Sequence, residues 1–407
     1  MAGSLKYKVH YQHPDGRKVG DVMPFYNSGV YHIFYLLNGS GHDDINHEHA
    51  FSSDLIHWTT VAPSITHEDN CAFTGSYLKT SDGLFHCFFT RWNPDNVLGR
   101  ETIGHAVSTN LIDWKKSNLH LVPDGTIYSD AQYRDFRDPC VFFDNTDKYF
   151  HMLLLANPKN KKNNEKSWDE NWIQGHYRSK NLVDWEHLFP IPGNFADECP
   201  DYIYHSGHHY IHGCHRYAIG ETQWGPYHTE EDFVLDKGLR AAKTCHVGDR
   251  IMWFGGFIDG SITLAREVVF LPSGRLGLCL AAEMYVASNK LISESIDKNK
   301  TILIDKDKAQ RIAISSLNRA SLTIDFEAIK FELFEGVFSF INLENRTILD
   351  GRFFFESATD QIDIIIDLDL IEVYWSGKGA FTFCAKKEIS KLSIVAGIET
   401  IISIFSF

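Results

Sequence analysis

One ten-residue pattern occurs three times in the first half of the chain: His49 to Trp58 reads HAFSSDLIHW, His105 to Trp114 reads HAVSTNLIDW, and His176 to Trp185 reads HYRSKNLVDW. Self-similarity at such intervals marks a supersecondary unit copied along the chain, which restricts the fold to architectures that stack or ring like pieces. In each copy a short run enters, a Ser-x-Asp/Asn-Leu turn follows, and a Trp closes the pattern where it can pack between neighbouring sheets. Alternating runs accompany the copies at Val30 to Leu36, Leu84 to Thr90, Lys148 to Leu154, His208 to Gly213 and Arg250 to Gly255. Each follows a polar turn with Gly, Asp or Asn, as in meandering antiparallel strands. Radial repetition of four-stranded sheets protects sheet edges, so the expectation is a five-bladed β-propeller over residues 1–290. A two-sheet sandwich with accidentally similar loops is the plainer alternative, but its loops have no reason to share a Trp-ended turn.

After Leu291 the texture becomes charged and free of Trp through SESIDKNKTILIDKDKAQ, which reads as a linker over 291–309. Beyond it, Ile348 to Phe355, Ile362 to Leu368, Ile371 to Trp375 and Ala380 to Cys384 alternate as short strands, so a β-sandwich is expected over 310–407. The fold class is all-β.

The net charge of -14 is spread along the chain, which argues against a nucleic-acid backbone as partner and suits a neutral small molecule or oligosaccharide. The eight cysteines form no CxxC pair and no zinc spacing, so they read as reduced thiols, with no metal or other cofactor implied. The opening MAGSLKYKVHYQHPDG lacks the apolar core of a signal peptide, and no run of about 18 apolar residues could span a bilayer. A cytoplasmic protein without a membrane partner is the expectation; oligomeric state is not legible.

Three acidic motifs sit at the edge of apolar runs in different units: Gly20-Asp21-Val22-Met23-Pro24-Phe25, Arg137-Asp138-Pro139, and Asp197-Glu198-Cys199-Pro200. In a propeller the innermost strands line one axis, so acids far apart in sequence can converge at its mouth. Glycoside hydrolysis needs little more: one acid to protonate the leaving oxygen, one carboxylate to attack the anomeric carbon, and negative charge to stabilise the oxocarbenium-like transition state. Taken singly, Asp21 reads equally as a turn residue, Asp138 as half of a structural ion pair with Arg137, and Glu198 as a surface acid.

In order and spacing these segments resemble glycoside hydrolase family 32, the invertases, inulinases and levanases. Gly20-Asp21 with FYNSGVYHIFYL is similar to its nucleophile motif, Phe73-Thr74-Gly75-Ser76 to its second, Arg137-Asp138-Pro139 to its third, and Glu198-Cys199-Pro200-Asp201 to its fourth. The resemblance implies a retaining β-fructofuranosidase with Asp21 as nucleophile, Glu198 as general acid and then base, and Asp138 as the group that binds sugar hydroxyls. Phe73, Ser76, Arg137 and Trp92 are the candidate substrate contacts, with Arg137 also expected to hold Asp21 and Asp138 ionised. The chain departs from the family where Asn usually precedes the nucleophile, since Gly20 stands there, and no Trp occurs before Trp58. An inverting arabinanase or xylosidase-like propeller enzyme and a carbohydrate-binding protein without chemistry are the two other readings. His47, His49 and the group from His205 to His215 invite a metal, but His49 recurs in the ten-residue pattern, which favours a structural use.

Overall fold

The computed structural model describes residues 6–38, 45–68, 70–159, 171–214, 216–236, 238–256, 259–296, 298–315, 322–327, 329–334, 337–342, 348–352, 361–385, 387–396 and 400–407. The fold is nearly all-β. Five four-stranded antiparallel sheets follow one another, each with its strands in chain order. The first is β1 (Lys18–Asn27), β2 (Val30–Asn38), β3 (His47–Ser52) and β4 (Thr59–Ile65); the second is β5 (Cys71–Lys79), β6 (Phe85–Trp92), β7 (Glu101–Ser108) and β8 (Trp114–Lys116). The third is β9 (Phe136–Phe143), β10 (Phe150–Ala156), β11 (Ile173–Ser179) and β12 (Glu186–His187). The fourth is β13 (Asp201–His205), β14 (His208–His212), β15 (Tyr217–Gly220) and β16 (Tyr227–His228), and the fifth β17 (Arg240–Val247), β18 (Arg250–Gly256), β19 (Arg266–Phe270) and β20 (Leu276–Leu280). All five alternating runs singled out in the sequence became the second strand of a sheet. First strand meets first strand between sheets: β1 packs on both β5 and β17, and β9 on β5 and β13.

The repeated pattern acts as one local device. Ser52 Oγ accepts the Leu55 N–H at 2.9 Å, Asp54 Oδ1 accepts the N–H groups of Ile56 and His57, and Trp58 Nε1 donates to Leu55 O. Ser108, Asn110 and Trp114 make the same bonds, as do Ser179 and Asn181, and Leu55, Leu111 and Leu182 share a left-handed backbone with φ of 67°, 66° and 64°. Trp114 then stands edge-on to Phe34 of the first sheet and Trp185 edge-on to Phe88 of the second, joining each sheet to the one before it. The opening His is structural: His49, His105 and His176 each share a ring hydrogen bond with His32, His86 and His151 on the adjacent strand, at 2.9, 3.0 and 2.9 Å. His47 is likewise committed, to Tyr77 Oη and Phe73 O.

A short helix α1 (Ala282–Ala287) leads into two six-stranded sheets. One orders β21 (Asn289–Ile296), β32 (Thr400–Ser406), β23 (Gln310–Ser315), β28 (Ile362–Asp367), β29 (Leu370–Trp375) and β30 (Gly379–Cys384). The other orders β22 (Asn299–Leu303), β31 (Lys391–Ala396), β24 (Leu322–Asp325), β25 (Ile329–Phe334), β26 (Val337–Asn342) and β27 (Ile348–Arg352). The two share an aliphatic core that includes Ile312, Ile314, Ile324, Ile364, Ile366, Leu392, Ile394 and Ile402. The charged stretch expected as a linker is instead β21 and β22, the edge strands of both sheets. Its charges stay at the surface together with Leu291, Ile292 and Leu303, while Ile296, Ile302 and Ile304 turn inward. Of the strand expected over Ile348 to Phe355, residues 353–355 lie outside the described residues.

The two regions meet through buried charge. His10 Nδ1 is 2.9 Å from Asp367 and its Nε2 3.2 Å from Glu372, and Arg266 pairs with Asp236 at 2.6 Å and lies 3.4 Å from Glu372. Burial alone would lower the His10 pKa; the hydrogen bonds and charges of Asp367 and Glu372 outweigh it and hold it at about 9. The backbones approach so closely that a Cβ at Gly238 would stand 1.8 Å from Thr382 O, and one at Gly277 2.0 Å from Gly377 O.

Candidate active site

The first strands of four sheets carry a break in register: between Val19 and Val22 in β1, Phe73 and Gly75 in β5, opposite Leu153 to Leu155 in β9, and Arg240 and Lys243 in β17. A bulge inserts an extra residue and re-aims its side chain. Asp21, Thr74 and Asp138 are such residues, and Asp138 adopts φ +59°, which a short polar side chain tolerates best among non-glycine residues. Cys199, between Glu198 and β13, is also left-handed at φ +52°.

These distortions bring the three acids together. Thr74 Oγ1 donates to Asp21 Oδ2, and the Cys199 thiol lies 3.7 Å from Asp21 Oδ2 and 3.7 Å from Asp138 Oδ2. The Cys199 N–H donates to Asp138 Oδ2 at 3.0 Å, and the Asp138 N–H donates to Thr90 Oγ1 at 2.8 Å. Arg137 donates to Glu198 Oε1 through Nη2 at 2.8 Å and Nε at 3.1 Å, with Nε 4.0 Å from Asp138. Its remaining arm reaches Asp135 at 2.7 Å and Glu101 at 3.3 Å, both buried, and the Trp172 indole N–H donates to Asp135. Asp138 is buried, whereas Asp21 and Glu198 are partly exposed.

Burial pushes the Asp138 carboxyl up to about 8; Arg137 opposes this, but the charges of Glu198 and Asp21 add to it. Asp21 is raised too, by burial and by Glu198, against the Thr74 hydroxyl, the Cys199 thiol and the charge of Lys243. Arg137 does favour the ionised form of Asp138, as expected, but it does not outweigh burial and the neighbouring carboxylates there, and at Asp21 the opposing groups are Thr74, Cys199 and Lys243 instead. The Arg137 donors go to Glu198, Asp135 and Glu101, and three crowded carboxyls in a low-dielectric site cannot all ionise freely.

The candidate substrate contacts separate. Arg137 belongs to the cluster. Phe73, next to Thr74, stacks on Trp92 with ring centres 5.6 Å apart and 24° between planes. Ser76 instead accepts the Val141 N–H at 2.9 Å, tying β5 to β9. It lines a cavity of about 420 Å³ walled by residues further along all five first strands, among them Met23, Cys140, Asp201 and Lys243. Thr74, Thr90, Glu101, Asp135, Cys199 and Lys243 were not singled out as site residues in the sequence. Thr74 and Cys199 stood inside motifs already marked; Glu101 opens β7 and Lys243 follows two alanines in β17, in strands with other polar residues, so neither stood out.

Residues 10–230, more than half of the chain, match the family described as the glycosyl hydrolases family 32 N-terminal domain, and the chain belongs to that family. Among curated relatives, it is 28% identical over 217 residues to a β-fructofuranosidase, insoluble isoenzyme 3, of Oryza sativa subsp. indica, covering 49% of this chain and 34% of that protein. It is 26% identical over 210 residues to the levanbiose-producing levanase of Bacillus subtilis, covering 47% and 36%. The match thus spans about a third of the length of these relatives. Solved structures of like fold include the Bombyx mori β-fructofuranosidase BmSUC1 (TM-score 0.79, 17% identity, 98% of this chain and 93% of that one) and a sucrose-6-phosphate hydrolase from Lactobacillus gasseri (TM-score 0.80, 16% identity, 100% and 94%).

Proposed function

We propose that this chain is a retaining glycoside hydrolase that releases terminal non-reducing β-D-fructofuranosyl residues from fructosides or fructo-oligosaccharides. The observation that carries the reading is the meeting of Asp21 of β1, Asp138 of β9 and Glu198 of the segment before β13, around Cys199 and Arg137. Asp21 attacks the anomeric carbon while Glu198 protonates the departing oxygen; water then enters with Glu198 as base and frees the sugar. Asp138, whose carboxyl is raised by burial and by the charges of Glu198 and Asp21 against the pull of Arg137, binds sugar hydroxyls beside the reacting carbon. Phe73 and Trp92 offer an aromatic wall for the sugar.

Similar solved structures carry sucrose, in the Bombyx mori enzyme, and 1-kestose, in the fructan 1-exohydrolase IIa of Cichorium intybus, which supports a fructosyl substrate here. On the same reading the five four-stranded sheets are the blades of a five-bladed propeller, closed by β1 against β17, and the six-stranded pair is a C-terminal β-sandwich. The test is incubation with sucrose, inulin, levan and an aryl arabinofuranoside, following the released sugar and its anomeric form. Fructose released first as the β-anomer is expected; release of arabinose alone, or full activity in Asp21→Asn, overturns the proposal.

A further inference from the structure

Two cysteines meet beside the acids. The antiparallel register of β13 and β14 pairs Asp201 with His212, and carried two residues further it sets Cys199 opposite Cys214. The Cys214 N–H donates to Glu198 O at 2.8 Å, so the pairing does run on past the strand ends. Gly213 keeps this extension close, since a Cβ there would collide with the Asp197 side chain. Both cysteines are free, and their thiols are within hydrogen-bonding reach of each other. They differ in access. Cys199 is 2% exposed and its sulfur lies 3.7 Å from both Asp21 Oδ2 and Asp138 Oδ2, whereas Cys214 is half-buried and its sulfur accepts the Ala241 N–H at 3.1 Å. The hydrogen bond with Cys214, burial and the charges of Asp138 and Asp21 keep Cys199 a neutral thiol.

Resting on the reading of Asp21, Asp138 and Glu198 as the working acids, we propose that Cys199 and Cys214 form an oxidisable dithiol, a modification site whose disulfide switches the acids off. Cross-strand neighbours hold their Cβ atoms about 4.5 to 5.5 Å apart, and a disulfide needs about 3.5 to 4.5 Å. The paired backbone thus brings the two to within about 1 Å of bridging distance. The oxidant is a peroxide. The Cys214 sulfur, the one solvent reaches, attacks one peroxide oxygen; the O–O bond breaks and the thiol proton passes to the departing oxygen, leaving a sulfenic acid and an alcohol, or water from hydrogen peroxide. The Cys199 sulfur then attacks the Cys214 sulfur, the S–O bond breaks as the S–S bond forms, and the hydroxyl leaves as water with the Cys199 proton. The two thiols give up two electrons and the peroxide takes them. Bridging draws Cys199 aside by about 1 Å, and with it the N–H that Asp138 accepts and the adjoining Glu198. A misplacement of about 1 Å among reacting groups can cost about a hundredfold in rate. A dithiol reductant restores the open pair.

The test treats the full chain with excess hydrogen peroxide and follows fructose release from a fructoside beside the masses of chymotryptic peptides, since Tyr202, Tyr204 and Tyr210 separate the two cysteines. A cross-link between Cys199 and Cys214, lighter by two hydrogens than the separate peptides, should appear as kcat falls about a hundredfold, and dithiothreitol should reverse both. Cys214→Ser should start at the wild-type rate and keep it through the same treatment, because the buried Cys199 thiol then has no partner. A pair that merely packs gives no cross-link. Folded, oxidised protein without that cross-link overturns the inference, as does a cross-link that leaves the rate unchanged or an equal loss in Cys214→Ser. A wild type that releases no fructose before oxidation overturns the assigned activity instead, and the peptide masses still decide whether the dithiol closes.

Discussion

The five-sheet region and the six-stranded pair use their interiors differently. Between the six-stranded sheets lie mainly isoleucine, leucine and phenylalanine. The five-sheet interior holds Glu101, Arg100, Asp135, Arg137, Asp138 and Lys243, with paired histidines between its strands. An aliphatic core stabilises without direction, at roughly 25 cal/mol per Å² of apolar surface buried. Buried charges add little net stability, but they specify where each neighbour must sit. The contrast lies in what is added to an apolar interior: both regions bury aliphatic and aromatic clusters, and the five-sheet region also buries the charges that surround its acids, with a further buried set at the joint of His10, Arg266, Asp236, Asp367 and Glu372.

The sharpest way to break this contrast is at the acids. On the proposed mechanism, Asp21→Asn and Glu198→Gln should each lower kcat about a thousandfold or more, with melting temperature near wild type, because each would remove the nucleophile or the acid without opening a void. Steady-state kinetics beside a thermal melt checks it. At the joint, Arg266→Met leaves Asp236 buried without its cation and Glu372 with His10 alone, and should cost about 3 to 5 kcal/mol. Denaturant unfolding should then resolve two transitions in place of one. Ile364→Ala, fully inside the aliphatic core, should cost about 2 to 5 kcal/mol yet leave kcat per folded molecule unchanged.

The histidine pairs sharpen the same comparison through pH. Burial lowers His49 and His176 to about 3 and His105 to about 4, below their unfolded value. The unfolded chain therefore binds more protons between about pH 6.5 and 4. Stability present at neutral pH is lost as pH falls through that window, at up to about 1.4 kcal/mol per pH unit for each ring. His10 runs the other way: its raised value stabilises at neutral pH and below, and that contribution is lost above about pH 9. Unfolding followed by a probe in each region should show the five-sheet region yielding first to acid. The smallest effect belongs to one turn of the repeat, where Asp54→Ala should cost about 1 kcal/mol through the lost acceptors for Ile56 and His57.

Much was legible before any coordinates. A turn that needs Ser, Asp or Asn, a left-handed Leu and a packing Trp is a local requirement, so three copies of it announced three sheets, and alternation announced the second strand of all five. The acids were legible because their motifs are short and continuous. The β21 and β22 edges were misread as a linker because an edge strand and a solvated loop both place charge toward water, and which one forms depends on a partner strand about a hundred residues away.

What the sequence alone determined, then, is the set of local units and the acidic motifs that the fold gathers, since turn chemistry, alternation and motif order act over a few residues. Only the tertiary structure decided which cation serves which acid. Arg137 adjoins Asp138 in the chain yet donates to Glu198, Asp135 and Glu101, and Lys243 on β17 pairs with Asp201 at the start of β13. Charges act through space and burial sets their strength, and neither quantity exists until the sheets have closed on one another.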